Sequence, residues 1–411
     1  MNAVSLSSGR REIEAIAVIG FGHGVSHFFH LMIPPLFPWL MRDFGLSFTE
    51  AGVLASVFFV VSGIGQALAG FVVDRLGARR VLIAGMVLFA VSAVILGLAP
   101  GYGLLVLAAA VAGIGNSVFH PADFTLLNRN VTGARLGHAF SVHGLSGNVG
   151  WAIAPVFMTG IAVASHWRMA AFAAAAVAGV ALVLYWLRRE AITDAEHAAR
   201  HDPRQPPDSL FAFLGSAPVW MCFFFFFFVT LALAALQNFG PPVLHEIYGM
   251  SLAAGASALT AFLFGGAGGM AVGGFLVARY QAHDRVVAVV LVAAATFALL
   301  IASGEVPAWS VTALMAGMGF CTGMAGPSRD MLVRRAATAR FGNRAFGRVY
   351  GFVYSGLDVG FAVAPVLIFG PLMDAGRFAQ VLLVAALAQA LAILTALGVG
   401  RDVHARARAA A

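Results

Sequence analysis

The chain is built from apolar runs that are long enough to cross a lipid bilayer. Because an α-helix rises about 1.5 Å per residue, about 20 apolar residues are needed to span roughly 30 Å of hydrocarbon. Such runs begin near residues 15, 49, 81, 103, 138 and 168 in the first half, and near 218, 252, 286, 308, 347 and 376 in the second. In lipid, a helix satisfies its own backbone hydrogen bonds. The sequence therefore predicts an all-α integral membrane protein with about twelve transmembrane helices.

The composition excludes several classes of protein. Of the 411 residues, 60% are hydrophobic and only 10% are charged, whereas about a quarter of the residues of soluble proteins are charged. The chain has no lysine, so the phosphate-binding motif G-x-x-x-x-G-K-[ST] of ATP-driven pumps cannot occur. Cys222 and Cys321 both lie in apolar runs and indicate no disulfide framework. Since no nucleophile stands beside a base, we expect neither an enzyme nor a bound cofactor.

The arginines set the expected orientation of the helices. If both termini are cytoplasmic, the outside carries only Arg42, Arg168 and Arg377, and nearly all the other arginines lie in cytoplasmic segments. This asymmetry follows the positive-inside rule, and it explains the net charge of +7 without a nucleic-acid partner. We therefore expect a monomeric multi-pass protein of a bacterial-type inner (cytoplasmic) membrane. Its expected partners are the lipid bilayer, a small-molecule substrate and coupling protons.

The second half of the chain repeats the first half in the same direction. Residues 113–155 return in diverged form as 317–365, and 137–155 align with 347–365 without a gap. Parallel repeats of this kind occur in transporters whose substrate site lies near the bilayer midplane, where the halves meet. The predicted segments are a six-helix bundle (1–187), a cytoplasmic linker (188–216), a second six-helix bundle (217–400) and a cytoplasmic tail (401–411).

A short polar motif follows the second apolar run. It reads Gly-Phe-Val-Val-Asp-Arg-Leu-Gly-Ala-Arg-Arg over residues 70–80. This motif resembles the signature loop G-x-x-x-D-R-x-G-x-R-R of the major facilitator superfamily, which lies between helices two and three of that family. The resemblance implies two six-helix bundles that rock about a central cavity, with a gating role for this loop. Asp123 of helix four is expected to join the loop by pairing with Arg75 or Arg79. The predicted gating residues are Gly70, Asp74, Arg75, Gly77, Arg79, Arg80 and Asp123.

Motifs in helices one, four and five narrow the resemblance. They are Gly22-His23, Pro34 with Pro38, residues 44–49 (FGLSFT), residues 113–121 (GIGNSVFHP) and residues 147–150 (GNVG). They resemble the fosmidomycin-resistance group of the superfamily, which implies a proton-coupled exporter of a small molecule and a link to drug resistance. The chain departs from that group in its first helix, which has His27 and His30 and no carboxylate instead of an Asn-Asp pair.

Three histidines form a polar stripe on the first helix. At about 100° per residue, His23, His27 and His30 fall within roughly 60° of one another. Ionisable side chains at this depth are costly and usually face a cavity or a partner. Three interpretations remain: histidines hydrogen-bonded to neighbouring helices, contacts for substrate or protons, and metal ligands. Because imidazole titrates near neutral pH, His27 and His120 are candidates for proton coupling.

Helix four has a second polar face. Asn116, His120 and Asp123 share it at helical spacing, and Pro121 is expected to bend the helix between them. In the repeat, Arg329 stands where Asp123 stood. This exchange of charge suits either a salt bridge that closes the cytoplasmic mouth or a cation that meets an anionic substrate.

Asp358 is the strongest candidate for carrying a coupling proton. It shares a face of helix eleven with Tyr350 and Tyr354 and lies near the bilayer midplane. A charge is costly at that depth, so this carboxyl can be neutral in one access state and ionised in the other. The alternative is a permanent pairing with a histidine, with Arg329 or with a tyrosine hydroxyl.

The predicted substrate cavity collects the polar side chains of these helices. They are His23, His27, His30, Asn116, His120, His143, Asn148, Arg329, Tyr350, Tyr354 and Asp358. We expect secondary active transport of a small organic solute, as proton antiport that drives efflux. Two alternatives stay open. One is transport of a transition metal or metal chelate by the histidine-rich first helix, and the other is proton-coupled import of an organic anion.

Overall fold

A computed structural model describes residues 3–194, 215–341 and 346–410 of the chain. These residues are almost entirely helical and contain no strand. Their α-helices are α1 (Ala3–His30), α2 (Phe37–Phe44), α3 (Phe48–Leu76), α4 (Ala78–Leu98), α5 (Tyr102–Ser117), α6 (Phe119–Asn130), α7 (Gly133–Ala164), α8 (Trp167–Leu187), α9 (Ala217–Tyr248), α10 (Leu252–Arg279), α11 (His283–Ala302), α12 (Val311–Phe341), α13 (Phe346–Ala364), α14 (Gly370–Asp374) and α15 (Phe378–Ala410). Short 3₁₀ turns at Pro34–Leu36 and Ala308–Ser310 and a π-helical turn at Pro365–Phe369 complete the set.

Within the described residues, twelve helical stretches are long and apolar enough to cross a membrane. The chain divides into two compact units, Met1–Ala199 and Arg200–Ala411, and six of the stretches lie in each. The predicted fold of twelve spanning helices in two six-helix bundles is confirmed. Residues 195–214 of the predicted linker lie outside the described part of the chain. Helix α15 continues to Ala410 and so includes most of the segment predicted as a tail.

Sequence signals at the helix ends explain several boundaries. Helix α3 begins with a capping box, in which the Ser47 hydroxyl accepts from the Glu50 backbone N–H at 3.1 Å and the Glu50 carboxylate accepts from the Ser47 backbone N–H at 2.8 Å. Gly77 separates α3 from α4. Its φ is 86°, a backbone conformation that residues other than glycine rarely adopt. The glycine of the signature loop is therefore required by the turn itself.

The fourth span is interrupted at one residue. Helix α5 ends at Ser117, Val118 lies outside both helices, and α6 begins at Phe119. Pro121 has no backbone N–H, so it cannot bond the carbonyl of Ser117, and its ring crowds that turn. The interruption lies between Asn116 and Asp123, where the sequence predicts a bend, and the two side chains have different partners.

Helices α1 and α7 approach each other closely in the first unit. A Cβ atom added at Gly150 would collide with the carbonyl oxygen of Gly24. A Cβ atom at Gly24 would lie 3.0 Å from the carbonyl oxygen of Ser146. Only helices with small residues at the contact can pack at this distance. The approach brings the histidines of α1 against the polar face of α7.

Candidate functional site

A cluster of polar side chains lies inside the first six-helix unit. Helix α1 contributes three members, α6 two and α7 one. We call this the histidine cluster, and its members are His23, His27, His30, His120, Asp123 and His143. The structure thus brings together six residues that the sequence singled out on three different helices.

Asp123 is held between two imidazoles. Its side chain is fully buried, and its Oδ2 atom lies 3.1 Å from His143 Nε2 and 3.2 Å from His23 Nδ1. The rings of His23 and His143 stack with their centroids 3.5 Å apart. The expected pairing of Asp123 with Arg75 or Arg79 is wrong, because its carboxylate points into the unit. A buried carboxylate requires polar partners, and the histidines of α1 and α7 are within reach.

His30 uses both of its ring nitrogens within the protein. Trp151 Nε1 donates to His30 Nδ1 at 3.2 Å, and His30 Nε2 lies 2.8 Å from Asn116 Oδ1. Because an indole N–H can only donate, His30 Nδ1 must accept, and the proton of the neutral ring is on Nε2. The Asn116 amide nitrogen in turn donates to Ser62 Oγ at 2.8 Å. This chain of bonds matches the interpretation of a histidine bonded to neighbouring helices.

His27 and His120 lie on either side of His23 within the cluster. The His27 ring centroid is 4.4 Å from that of His23 and 4.7 Å from that of His30, and the rings of His23 and His120 are 5.2 Å apart. Within the described residues, both ring nitrogens of His27 and Nδ1 of His120 are buried without a hydrogen-bond partner. These nitrogens are therefore available to a ligand.

Two groups in the cluster have the spacing of possible metal ligands. The donor atoms of His23, His27 and His120 lie within 4.8 Å of one another, and so do those of His23, Asp123 and His143. His30 belongs to neither group, although the sequence placed it with His23 and His27 on one stripe. Its nitrogens are already bonded to Trp151 and Asn116.

Asn148 bonds its own helix backbone. Its side-chain amide donates to the Gly144 carbonyl at 2.9 Å. The sequence placed it in the substrate cavity beside the histidines, and this role stays a prediction.

The second unit has a different polar arrangement. Arg329 Nε donates to Asp330 at 2.9 Å, and the Tyr354 hydroxyl donates to the same carboxylate oxygen at 3.1 Å. The Arg329 guanidinium also lies 4.6 Å from the centre of the Phe226 ring, a cation–π contact. Asp330 was not predicted as a site residue, although it directly follows Arg329 of the predicted substrate cavity.

Asp358 lies on α13 and is partly buried. Among the described residues, the structure shows no hydrogen bond or ion pair to its carboxylate. The side chain of Tyr350, predicted on the same face, lies outside the described part of the chain.

Asp194, which was not predicted as a site residue, holds the signature loop in place. Asp194 accepts from the Arg79 backbone N–H at 3.3 Å and pairs with Arg129 at 3.2 Å. The Arg79 guanidinium donates to the Arg189 carbonyl at 3.3 Å. Arg75 and Arg80 are exposed, and the surroundings of Gly70 and of the Asp74 side chain lie outside the described part of the chain. A lone aspartate after the sixth helix carries no sequence signal for this contact.

Comparison with known proteins identifies the family. The family model for the Major Facilitator Superfamily matches residues 19–365. The chain belongs to this superfamily. It is 26% identical to the fosmidomycin resistance protein of Escherichia coli over 66% of this chain and 67% of that protein. It is 25% identical to a probable L-galactonate transporter of the same organism over 84% and 83% of the two chains.

A solved structure has the same fold. It is a bacterial homologue of the human lysosomal transporter Spinster in an inward-facing, occupied conformation, with a TM-score of 0.73 and 14% identity over 94% of this chain and 96% of that one. Together with the twelve spans, the family membership makes the chain a multi-pass membrane transporter of a small solute, and not an enzyme. The prediction of the transporter family is confirmed.

Proposed function

We propose that this transporter exports a small organic solute across a bacterial-type inner membrane in exchange for protons. The efflux direction is supported by the similarity to the fosmidomycin resistance protein over 66% of the chain. The arginine distribution supports an orientation with both termini in the cytoplasm.

The observation that carries the proton coupling is the position of Asp358. Its carboxyl is on a membrane-spanning helix and has no bonding partner among the described residues. A carboxylate in this position is costly while ionised, so a change of access to water decides whether it holds a proton. In the proposed cycle Asp358 takes a proton from the outside and releases it to the cytoplasm, while the solute moves the opposite way.

Everted membrane vesicles that contain the full chain test this cycle. Respiration acidifies the vesicle interior, and a pH-sensitive dye reports loss of the gradient after addition of fosmidomycin, L-galactonate or other small organic anions. For a proton-coupled exporter, a transported compound should collapse part of the gradient in wild-type vesicles. The same compound should have no effect in Asp358→Asn vesicles, because the amide cannot carry the proton.

Asp374→Asn is the matched control. Asp374 lies at the exposed end of the same span, so its substitution should leave the dye response unchanged. A full response in Asp358→Asn vesicles would show that this carboxyl does not carry the coupling proton. A response that appears only in right-side-out vesicles would instead support import.

Transport of a transition-metal ion is a second candidate function. The observation that favours it is the spacing of the donor atoms of His23, His27 and His120 within 4.8 Å of one another.

A further inference from the structure

We propose that His23, His27 and His120 bind one divalent first-row transition-metal ion inside the first six-helix unit, with Asp123 orienting His23. The inference goes beyond the proposed proton-coupled export and does not depend on it. It concerns which ligand the histidine cluster accepts, whereas the coupling proposal concerns Asp358.

The spacing of the three imidazoles suits a common ion. A metal–nitrogen bond of about 2.0–2.1 Å places two ligand atoms of a tetrahedral site about 3.3 Å apart. The donor atoms of His23, His27 and His120 already lie within 4.8 Å of one another. Metal binding would therefore require the side chains of His27 and His120 to rotate so that their donor atoms move closer together.

The bonding of these rings also points to a missing partner. Both nitrogens of His27 and Nδ1 of His120 are buried and have no hydrogen bond among the described residues. Buried polar atoms without a partner are rare, and each requires an explanation such as a bound water or ion. By contrast, His30 has both nitrogens bonded, and Asp123 occupies one nitrogen of His143.

Asp123 is placed to prepare His23 for a metal. Metal-binding histidines usually present one nitrogen to the ion and the other to a carboxylate, which fixes the tautomer. His23 Nδ1 lies 3.2 Å from Asp123 Oδ2, although the angle falls outside hydrogen-bond geometry. His23 Nε2 is then the nitrogen left for the ion, and it lies beside Gly147, as His27 Nδ1 does. The negative charge of the carboxylate also offsets part of the charge of a buried cation.

Gly147 on α7 packs directly against the ligand atoms. A Cβ atom added there would lie 2.8 Å from His27 Nδ1 and 3.0 Å from His23 Nε2. Both nitrogens therefore lie beside Gly147, and a methyl group at this position would push the two rings out of place. Gly144, about one helical turn earlier, has no atom within 4 Å of an added Cβ. The two glycines provide a matched pair of substitutions on one helix.

The donor set limits the choice of ion. Imidazole nitrogens without thiolates suit Zn²⁺, Ni²⁺, Co²⁺ and Cu²⁺. The sulfur-bearing side chains of Met315, Met318 and Cys321 lie on α12 in the other unit, so they belong to a different part of the fold.

Binding of Zn²⁺, Ni²⁺ and Co²⁺ to the purified full chain tests the proposal. The protein in detergent is stripped with a chelator and then titrated in a calorimeter, and the visible spectrum of Co²⁺ reports nitrogen coordination. We expect one ion per chain in the wild type and in Gly144→Ala. Gly147→Ala, His27→Ala and His120→Ala should each weaken binding at least tenfold, and Asp123→Asn should weaken it about 10–100-fold. The exposed His138 controls for adventitious binding, so His138→Ala should bind as the wild type does.

Several results would overturn this assignment. They are the absence of binding by the wild type, equal affinity in Gly147→Ala and Gly144→Ala, or loss of binding in His143→Ala with retention in His27→Ala and His120→Ala. The last result would place the ion at His23, Asp123 and His143 instead. Gly147→Ala retains every ligand, so it separates loss of the site from loss of fold, which the thermal transition of each variant checks. Asp358→Asn should bind metal normally, so failure of this proposal and failure of proton coupling are distinguishable.

Discussion

Asp194 links the end of the first six-helix unit to the start of α4, and its replacement has a cost that the structure allows us to work out. Its carboxylate accepts from the Arg79 backbone N–H at 3.3 and 3.4 Å and from the Arg129 guanidinium at 3.2 Å. The Arg79 N–H is one of the first amide groups of α4, which have no partner within the helix. Asp194 therefore caps α4 and places a negative charge at the positive end of its dipole.

The magnitude follows from the two contacts of Asp194. Loss of an N-terminal cap costs about 0.5–2 kcal/mol, and the long donor distances of 3.3 and 3.4 Å place this cap in the lower half of that range. The ion pair with Arg129 is partly exposed, at 29% and 28% of the two side chains, so screening limits it to about 0.2–1 kcal/mol. Asp194→Ala should lower the free energy of unfolding by about 1–2 kcal/mol, whereas Asp194→Asn keeps an acceptor and should cost about 0.5 kcal/mol.

Thermal unfolding in detergent, followed by tryptophan fluorescence at one fixed scan rate, measures this series. For a unit of about 200 residues, 1 kcal/mol changes Tm by about 2–4 °C. We expect Asp194→Ala to lower Tm by about 2–8 °C, Asp194→Asn to lower it by about 1–2 °C, and Arg129→Ala to lower it by at most about 4 °C. A Tm for Asp194→Ala equal to that of the wild type would refute the capping role. A Tm for Asp194→Asn as low as that of Asp194→Ala would show that the charge, and not the acceptor, holds the loop.

Two further substitutions test the packing around the histidine cluster by the same measurement. Gly150→Ala should destabilise the protein by about 1–3 kcal/mol because the new methyl group meets the Gly24 carbonyl. Gly160→Ala on the same helix meets no atom within 4 Å and should not lower Tm, so equal values for the two variants would contradict the close approach of α1 and α7. Trp151→Phe keeps an aromatic ring but removes the 3.2 Å hydrogen bond to His30 Nδ1, and should cost about 1–3 kcal/mol. An unchanged Tm for this variant would argue against the deduced tautomer of His30.

The fold was predictable because the features that determine it can be read directly from the sequence. The bilayer thickness sets the length of each apolar run, and internal backbone bonding requires those runs to be helices. The repeat of 137–155 as 347–365 relates the two halves without any knowledge of contacts. The interruption of the fourth span at Val118 was not predicted, since Pro121 reveals a lost hydrogen bond but not how the chain relaxes around it.

The site was only partly predictable, because its contacts join different helices. Helical spacing places His23, His27 and His30 on one stripe, but it does not reveal that Trp151 and Asn116 occupy both nitrogens of His30. For the same reason, no spacing rule links Asp123 to the α7 histidine that binds it. Contacts between helices depend on their rotation and separation, which in this unit follow from close approaches at glycines.

The two copies of the repeat differ at the positions that carry the proposed metal site. With the ungapped alignment of 137–155 on 347–365, His143 corresponds to Val353, which is fully buried in an apolar core. The second copy thus lacks a histidine that could bind a buried carboxylate, and Arg329 stands where Asp123 does in the first copy. Asn148 of the first copy corresponds to Asp358 of the second. At this position only the second copy therefore has a carboxyl, and that carboxyl has no partner among the described residues. The shared glycines pack the helices in both units, while the metal-binding and proton-carrying roles proposed above fall on positions at which the copies differ. Because each role belongs to a different unit, a substitution in one copy should abolish its own function and leave the other measurable.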